Sequence, residues 1–230
     1  MIIKAILQIA IVIIVVIIVI KIIATTIIAA VIIMKIIIYK MINKYIAKNH
    51  AGTVFTDSEL KVIKEGNIDD MVTTFLDMNT EYYNKQMQSV LKIFTQFIGN
   101  DMELERIIYQ KEYEGKFVGC QLMDGDIDVF LGIAGDDDDL LCVASVFSQE
   151  ELSEFDSDAY DSICELINVI NGAYATKLSY EDIEVALHPP VFYKDTQIKA
   201  DNGMYVVTFS MKGHRFNLIM VADDKIKLEV

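Results

Sequence analysis

The sequence predicts an α+β domain, with helices packed on one face of an antiparallel sheet, behind an N-terminal membrane segment. Three observations carry this reading: a nearly unbroken apolar run through the first forty residues, two later stretches with helical apolar spacing, and short strand-like stretches set apart by Gly- and Asp-containing turns. Charge divides the chain in the same place. Residues 1–50 hold six Lys and no acid, so the other 180 carry 14 basic against 34 acidic residues, a net of −20. An acidic surface of that size repels a phosphate backbone and excludes nucleic acid as a partner.

From Ile2 to Ile38 the chain is Ile, Val, Ala and Leu, interrupted mainly by Lys4, Gln8, Lys21, Thr25, Thr26 and Lys35, with neither Gly nor Pro. A cleaved signal peptide would have a shorter apolar region and a small-residue cleavage site, whereas here a second apolar run, Ile22 to Met34, follows Lys21. The run therefore reads as a membrane segment. As one helix it would extend about 55 Å against a hydrocarbon core of roughly 30 Å. Either one span ends near Lys21, which snorkels while the helix continues, or two short spans pack as a hairpin around Lys21, where no turn residue helps them. Lys35, Lys40, Lys44 and Lys48 flank the run and place the remainder of the chain in the cytoplasm. Three separated cysteines, Cys120, Cys142 and Cys164, suit that compartment as free thiols. The expected organisation is a membrane anchor over 1–48, a linker with a short helix over 49–68, and the α+β domain over 69–230.

Thr56-Asp-Ser-Glu59 has the spacing of a capping box and opens the short helix. Asn67-Ile-Asp-Asp70 starts a longer one that Gly99 stops near Ile98, its apolar stripe running from Met71 through Phe75, Met78 and Tyr82 to Phe94 and Phe97. From Gly115 the period changes, and Lys116–Met123, Ile127–Ile133 and Leu140–Val146 read as a strand meander. Asp124-Gly-Asp126-Ile-Asp128 lacks the Gly and Glu of a calcium loop at its sixth and twelfth positions and reads as a hairpin turn; Asp136–Asp139 reads as a solvated turn. Ser148-Gln-Glu-Glu151 suggests a brief helix, and Asp158 or Asp161 caps the next one, which runs to about Leu178. Ile183–Leu187, Gly203–Met211 and His214–Val221 complete the strands, with Pro189-Pro190 ending the first and Lys212-Gly213 joining the last two.

The helix over 161–178 is where chemistry could sit. Projected at about 100° per residue, Ile163, Leu166, Ile167, Ile170, Tyr174 and Leu178 fall on one side and Asp161, Glu165, Asn168, Gly172 and Thr176 on the other. Glu165 and Asn168 project from neighbouring turns, and Gly172 leaves the backbone bare for close approach by a partner. By itself an acid and an amide at that spacing is an ordinary solvated face.

The stretch Glu165-Leu-Ile-Asn168-Val-Ile-Asn-Gly172-Ala-Tyr-Ala-Thr-Lys-Leu178, followed by a strand ending in Pro189-Pro190, resembles the E-x-x-N signature of the CheC/CheX/FliY phosphatases, in their CheX branch. The resemblance covers about residues 80–222 and implies a CheC/CheX-like sheet and a phosphatase acting on the aspartyl phosphate of a CheY-like receiver domain. By the family's pattern Asn168 orients a water in line with the acyl phosphate and Glu165 pairs with the receiver's active-site lysine, while Asp161, Gly172 and Thr176 are expected to meet the partner. The resemblance implies no cofactor or metal of the chain's own; Mg2+ is expected in the receiver. It also implies a homodimer. Three features depart from the pattern. Glu81-Tyr-Tyr-Asn84 repeats E-x-x-N without the Gly-containing continuation and reads as a packing helix; the membrane segment is outside the resemblance; and the acidic surface must be relieved locally near Glu165. The alternatives are a tethered scaffold that binds a receiver without activity, a hydrolase built on His188 or His214, and a sensor relaying a signal through helices 56–98.

Overall fold

The computed structural model describes residues 2–99 and 101–229, with side chains from Val15 onward; the first side chains of the expected anchor, Lys4 and Gln8 among them, lie outside the described residues. Helix α1 (Ile2–Asn49) runs unbroken through Lys21, so the two-span hairpin does not form. The hydroxyls of Thr25 and Thr26 donate to the carbonyls of Lys21 and Ile22 at 2.8 to 3.0 Å, so these polar groups are satisfied within the helix and open no turn. From Val15 to Ile33 every side chain is exposed, and by length and composition this is one helix able to cross a membrane. Further on the helix changes role. Ile38, Met41, Ile42, Tyr45 and Ile46, spaced as one helical face, are buried in the main core of the domain.

Helix α2 (Asp57–Glu65) starts at the expected capping box: the Glu59 N–H donates to Thr56 Oγ1, and the Thr56 N–H donates back to Glu59. The single helix expected over 67–98 is two, α3 (Ile68–Phe75) and α4 (Glu81–Phe97). Asp77 takes a left-handed backbone at φ 52°, Thr80 caps α4 by accepting from the Tyr83 N–H, and the Tyr205 hydroxyl holds the break by donating to the Asp77 carbonyl and accepting from the Asn79 N–H. The apolar stripe survives because both helices turn it to the same core.

Strands β1 (Met102–Gly125) and β2 (Val129–Gly135) are followed by α5 (Asp137–Ser148), where a third meander strand was expected. Asp136 takes the N-cap position and Asp137, Asp138 and Asp139 fill the first turn, so the four acids stabilise a helix N-terminus rather than a solvated turn. Leu140, Val143 and Ala144 are buried with i, i+3, i+4 spacing, which the apolar run Leu140–Val146 had masked. The helix ends at Ser148, and Gln149 adopts a left-handed backbone at φ 60°, so no brief helix opens at Ser148.

Helix α6 (Ser157–Ser179), capped by Asp156, and strands β3 (Val185–Leu187), β4 (Val191–Met211), β5 (His214–Ala222) and β6 (Ile226–Glu229) complete the fold. All ladders are antiparallel, in the order β3-β1-β2-β5-β4-β6, and β1 also pairs with β4 from Met102↔Met211 to Cys120↔Val191, so β1, β2, β5 and β4 form a circuit of pairings. Two register shifts in the β1–β4 ribbon, at Leu104/Arg106 and Gln110/Glu112, let these long strands bend. The sheet covers two cores. The helices pack on one face; inside the bend Val118, Cys120, Phe130, Ile198, Met204, Val206, Ile219 and Val221 form the other. The observed class is the α+β sheet with helices on one face that the sequence predicts.

Candidate functional site on the polar face of α6

Helix α6 lies across β1 because β1 carries no side chain at the crossing. A Cβ on Gly119 would stand 2.6 Å from Ile163 Cγ2 and 3.3 Å from Ile167 Cδ1. Only glycine permits that approach, and Ile163, Leu166, Ile167, Ile170, Tyr174 and Leu178 are fully buried beneath the helix. The opposite face is presented outward: Asp161, Glu165 and Thr176 are exposed, Asn168 and Gly172 half-buried. A Cβ at Gly172 would meet nothing within 4 Å. The Thr176 hydroxyl donates to the Gly172 carbonyl at 2.8 Å.

Two residues beyond Gly119 on the same face of β1, Gln121 projects under α6 and is 1% exposed. Its Nε2 donates to Asn168 Oδ1 at 3.0 Å and to the His188 carbonyl at 2.7 Å, while its Oε1 accepts from Asn171 Nδ2 at 3.0 Å. The His188 carbonyl is free to accept because of its neighbours. The His188 N–H donates to the Leu122 carbonyl, and Pro189 and Pro190 bring no N–H to the edge of β1 before pairing resumes at Val191. Asn168 is thus tied from below, and its Nδ2 lies 3.5 Å from Glu165 Oε2, the outer limit of a hydrogen bond. Asn171 is fully buried and its Oδ1 has no partner, a defect that costs roughly 1–3 kcal/mol. Sequence reasoning missed Gln121 and Asn171. The available signal was a lone amide on the apolar side of the α6 projection, at Asn171.

Beside Glu165 the outward face opens into a groove of about 550 Å³ lined by Tyr160, Asp161, Cys164, Pro190, Val191 and Phe192. Tyr160 stacks on Phe192 with ring centroids 4.2 Å apart, and Lys194 Nζ lies 5.6 Å from the Tyr160 ring. Lys116 pairs with Asp137 at 3.2 Å and lies over Phe117. Lys194 thus sets a positive charge beside Tyr160 on the groove wall, whereas the charge of Lys116 is taken up by Asp137 and Asp136. Burial, and then the charge of Asp161, pushes the Cys164 thiol up to about 11, so it is protonated at neutral pH and no nucleophile. His188 Nε2 sits 3.0 Å from Asp124 and His214 Nδ1 sits 3.1 Å from Asp139; neither ring makes a described hydrogen bond to a Ser or Cys, so the hydrolase alternative finds no assembled nucleophile among the described residues. Asn84 of the second E-x-x-N is buried in α4, and Glu81 pairs with Lys85 at 3.0 Å. In that copy the amide faces the core while Glu81 is exposed, so the two do not form an outward pair. Among the described residues no group of three or more His, Cys, Asp or Glu side chains is arranged to hold a metal ion.

The sequence model of the family described as chemotaxis phosphatase CheX matches residues 117–211, which span the end of β1 from Phe117, then β2, α5, α6, β3 and β4. No curated protein matches the chain. Among solved structures, the chemotaxis protein CheX from Desulfovibrio desulfuricans is similar over 62% of this chain and 99% of its own, at 11% identity and a TM-score of 0.54. CheX from Vibrio vulnificus is similar over 62% and 99%, at 14% identity and a TM-score of 0.53. A CheC-like superfamily protein from a Shewanella species is similar over 66% and 100%, at 18% identity and a TM-score of 0.53. At these identities the likeness is one of fold, and the fold is that of CheX and CheC-like proteins.

Proposed function

We propose that the chain is a membrane-tethered phosphatase for the aspartyl phosphate of a CheY-like receiver domain, with α1 as the tether and the domain on the cytoplasmic side. The observation that carries the reading is the pair Glu165 and Asn168, side by side on the outward face of a helix within the segment that matches the CheX family. In the reaction the oxygen of a water attacks phosphorus, the bond from phosphorus to the aspartyl oxygen breaks, and the receiver regains a free carboxylate as inorganic phosphate leaves with the water's oxygen. An acyl phosphate is already a high-energy link and the receiver supplies its own Mg2+, so the task left is to hold one water in line. Asn168 does this without adding charge beside the phosphoryl group, and Glu165 pairs with the receiver's lysine and fixes the register of docking. Asp161, Gly172 and Thr176 extend the contact along α6, and the bare backbone at Gly172 lets the partner come close.

The test uses the full chain in detergent micelles with candidate receivers phosphorylated on Asp. Decay of the phosphoryl group is expected to speed up with the chain present, to return to the spontaneous rate with Asn168→Ala, and to fall mainly through weaker docking with Glu165→Ala. A folded chain that binds a receiver and leaves its lifetime unchanged would establish the inactive scaffold instead.

A further inference from the structure

We infer that Gln121 is a positioning residue that locks Asn168 with its carbonyl turned inward and its amide N–H turned out toward the partner; the use of that N–H on a phosphoryl group rests on the function proposed above. One atom of the network cannot change its role. The His188 carbonyl only accepts, and the Gln121 atom 2.7 Å from it must therefore be the amide nitrogen, since an oxygen there would face an oxygen. With Nε2 so placed, its second hydrogen points to the near atom of the Asn168 amide at 3.0 Å, which must be the oxygen. The Gln121 Oε1 is then the acceptor for Asn171 Nδ2, also at 3.0 Å. A backbone carbonyl thus sets the orientation of Gln121, and Gln121 sets that of Asn168. The direction of an amide, ordinarily free to flip, is fixed by the chain itself.

Burial makes the lock hold. Gln121 is 1% exposed and Asn171 is fully buried, so no water competes for these atoms, and a flip of Gln121 would break all three hydrogen bonds at once. What Asn168 presents outward is its Nδ2, with Glu165 at 3.5 Å on one side and the partner on the other. An N–H in that place donates to a phosphoryl or water oxygen and becomes more favourable as negative charge builds in the transition state. One lone pair of the Asn168 carbonyl is already taken by Gln121.

The experiment compares the full chain with Gln121→Met and Asn168→Asp in detergent micelles, reading the side-chain amide of Asn168 by 15N relaxation together with kcat and KM for a phosphorylated receiver. In the unaltered chain the Asn168 amide is expected to be as ordered as the backbone. Gln121→Met keeps the volume and removes every hydrogen bond; the Asn168 amide should become mobile, and kcat should fall about 100-fold with KM within about twofold, the loss that a small misplacement of a reacting group produces. Asn168→Asp keeps an acceptor for Gln121 while replacing the outward N–H by oxygen, so it should fold as the unaltered chain does and lose as much kcat as Asn168→Ala. An Asn168 amide already mobile in the unaltered chain, or one that stays ordered in Gln121→Met, overturns the lock, as does unchanged kcat in that variant. A chain that turns over no receiver would refute the phosphatase reading alone, and the relaxation of Asn168 in Gln121→Met would still decide the lock.

Discussion

Removing α1 at the linker should unfold the domain, although the linker is where a soluble fragment would ordinarily be cut. A fragment over 51–230 lacks Ile38, Met41, Ile42, Tyr45 and Ile46, each 9% exposed or less and packed with Met71, Val72, Phe75 and Phe94 in the main core. Burying such a side chain contributes roughly 1.5–3 kcal/mol, so the five together represent on the order of 10 kcal/mol, an upper figure because the unfolded chain already hides part of that surface. A domain has about 5–15 kcal/mol of net stability in all. The fragment over 51–230 should therefore sit near or below the threshold of folding, while one over 34–230, which keeps the docked turns and drops the exposed apolar run, should unfold cooperatively. Urea titration followed by far-UV circular dichroism and tyrosine fluorescence compares the two directly. Within the full chain, Ile42→Ala should cost about 2–5 kcal/mol by the cavity it leaves. Equal urea midpoints for the two fragments would refute the claim that α1 belongs to the core.

Two glycines, one beneath α6 at its crossing with β1 and one on its outward face, should respond with opposite signs. Gly119→Ala forces a methyl group into Ile163 and should destabilise the domain by roughly 1–3 kcal/mol, whereas Gly172→Ala meets open space and should stabilise α6 by about 1 kcal/mol while weakening receiver docking; thermal melts and a binding titration check both. The thiols should resist alkylation at neutral pH. Burial raises Cys164 to about 11 and Cys120 to about 12, so the reactive thiolate is scarce below those values and iodoacetamide labelling of Cys164 should climb about tenfold per pH unit toward pH 11; rapid labelling at pH 7 would contradict the burial described.

What was legible in the sequence was whatever depends on local chemistry. The capping box at Thr56 and Glu59 and the two faces of α6 could be read because each is a pattern within one element. The CheX-like class followed from α6 and the order of strands around it. Two kinds of feature stayed hidden. Residues 102–114 and 191–202 are strands in which alternation of buried with more exposed side chains is confined to short pieces, Met102–Glu105 and Thr196–Ala200, too brief to be read alone; they are fixed by the β1–β4 ladder, which runs from Met102↔Met211 to Cys120↔Val191 between segments far apart in the chain. Leu140–Val146 has the composition of a strand and became a helix because four preceding acids favour a helix start. The candidate site divides in the same way. The outward positions of Glu165 and Asn168 follow from helical projection, whereas Gln121 and Asn171 are single polar residues in apolar surroundings, and what joins them to Asn168 is the close crossing at Gly119, which only the folded chain displays.

The unbroken course of α1 also governs aim. If residues 15–33 lie in a bilayer, as the proposed function has it, no break in the helix separates those turns from the ones packed in the domain, so the two move as one rod about 70 Å long. A change in membrane thickness that tilts the embedded half must swing the domain by the same angle and re-point the outward face of α6 relative to the membrane plane. On the proposed reading, the bilayer would then act on the encounter with a diffusing partner without touching the residues that meet it, by setting the direction from which that face can be approached.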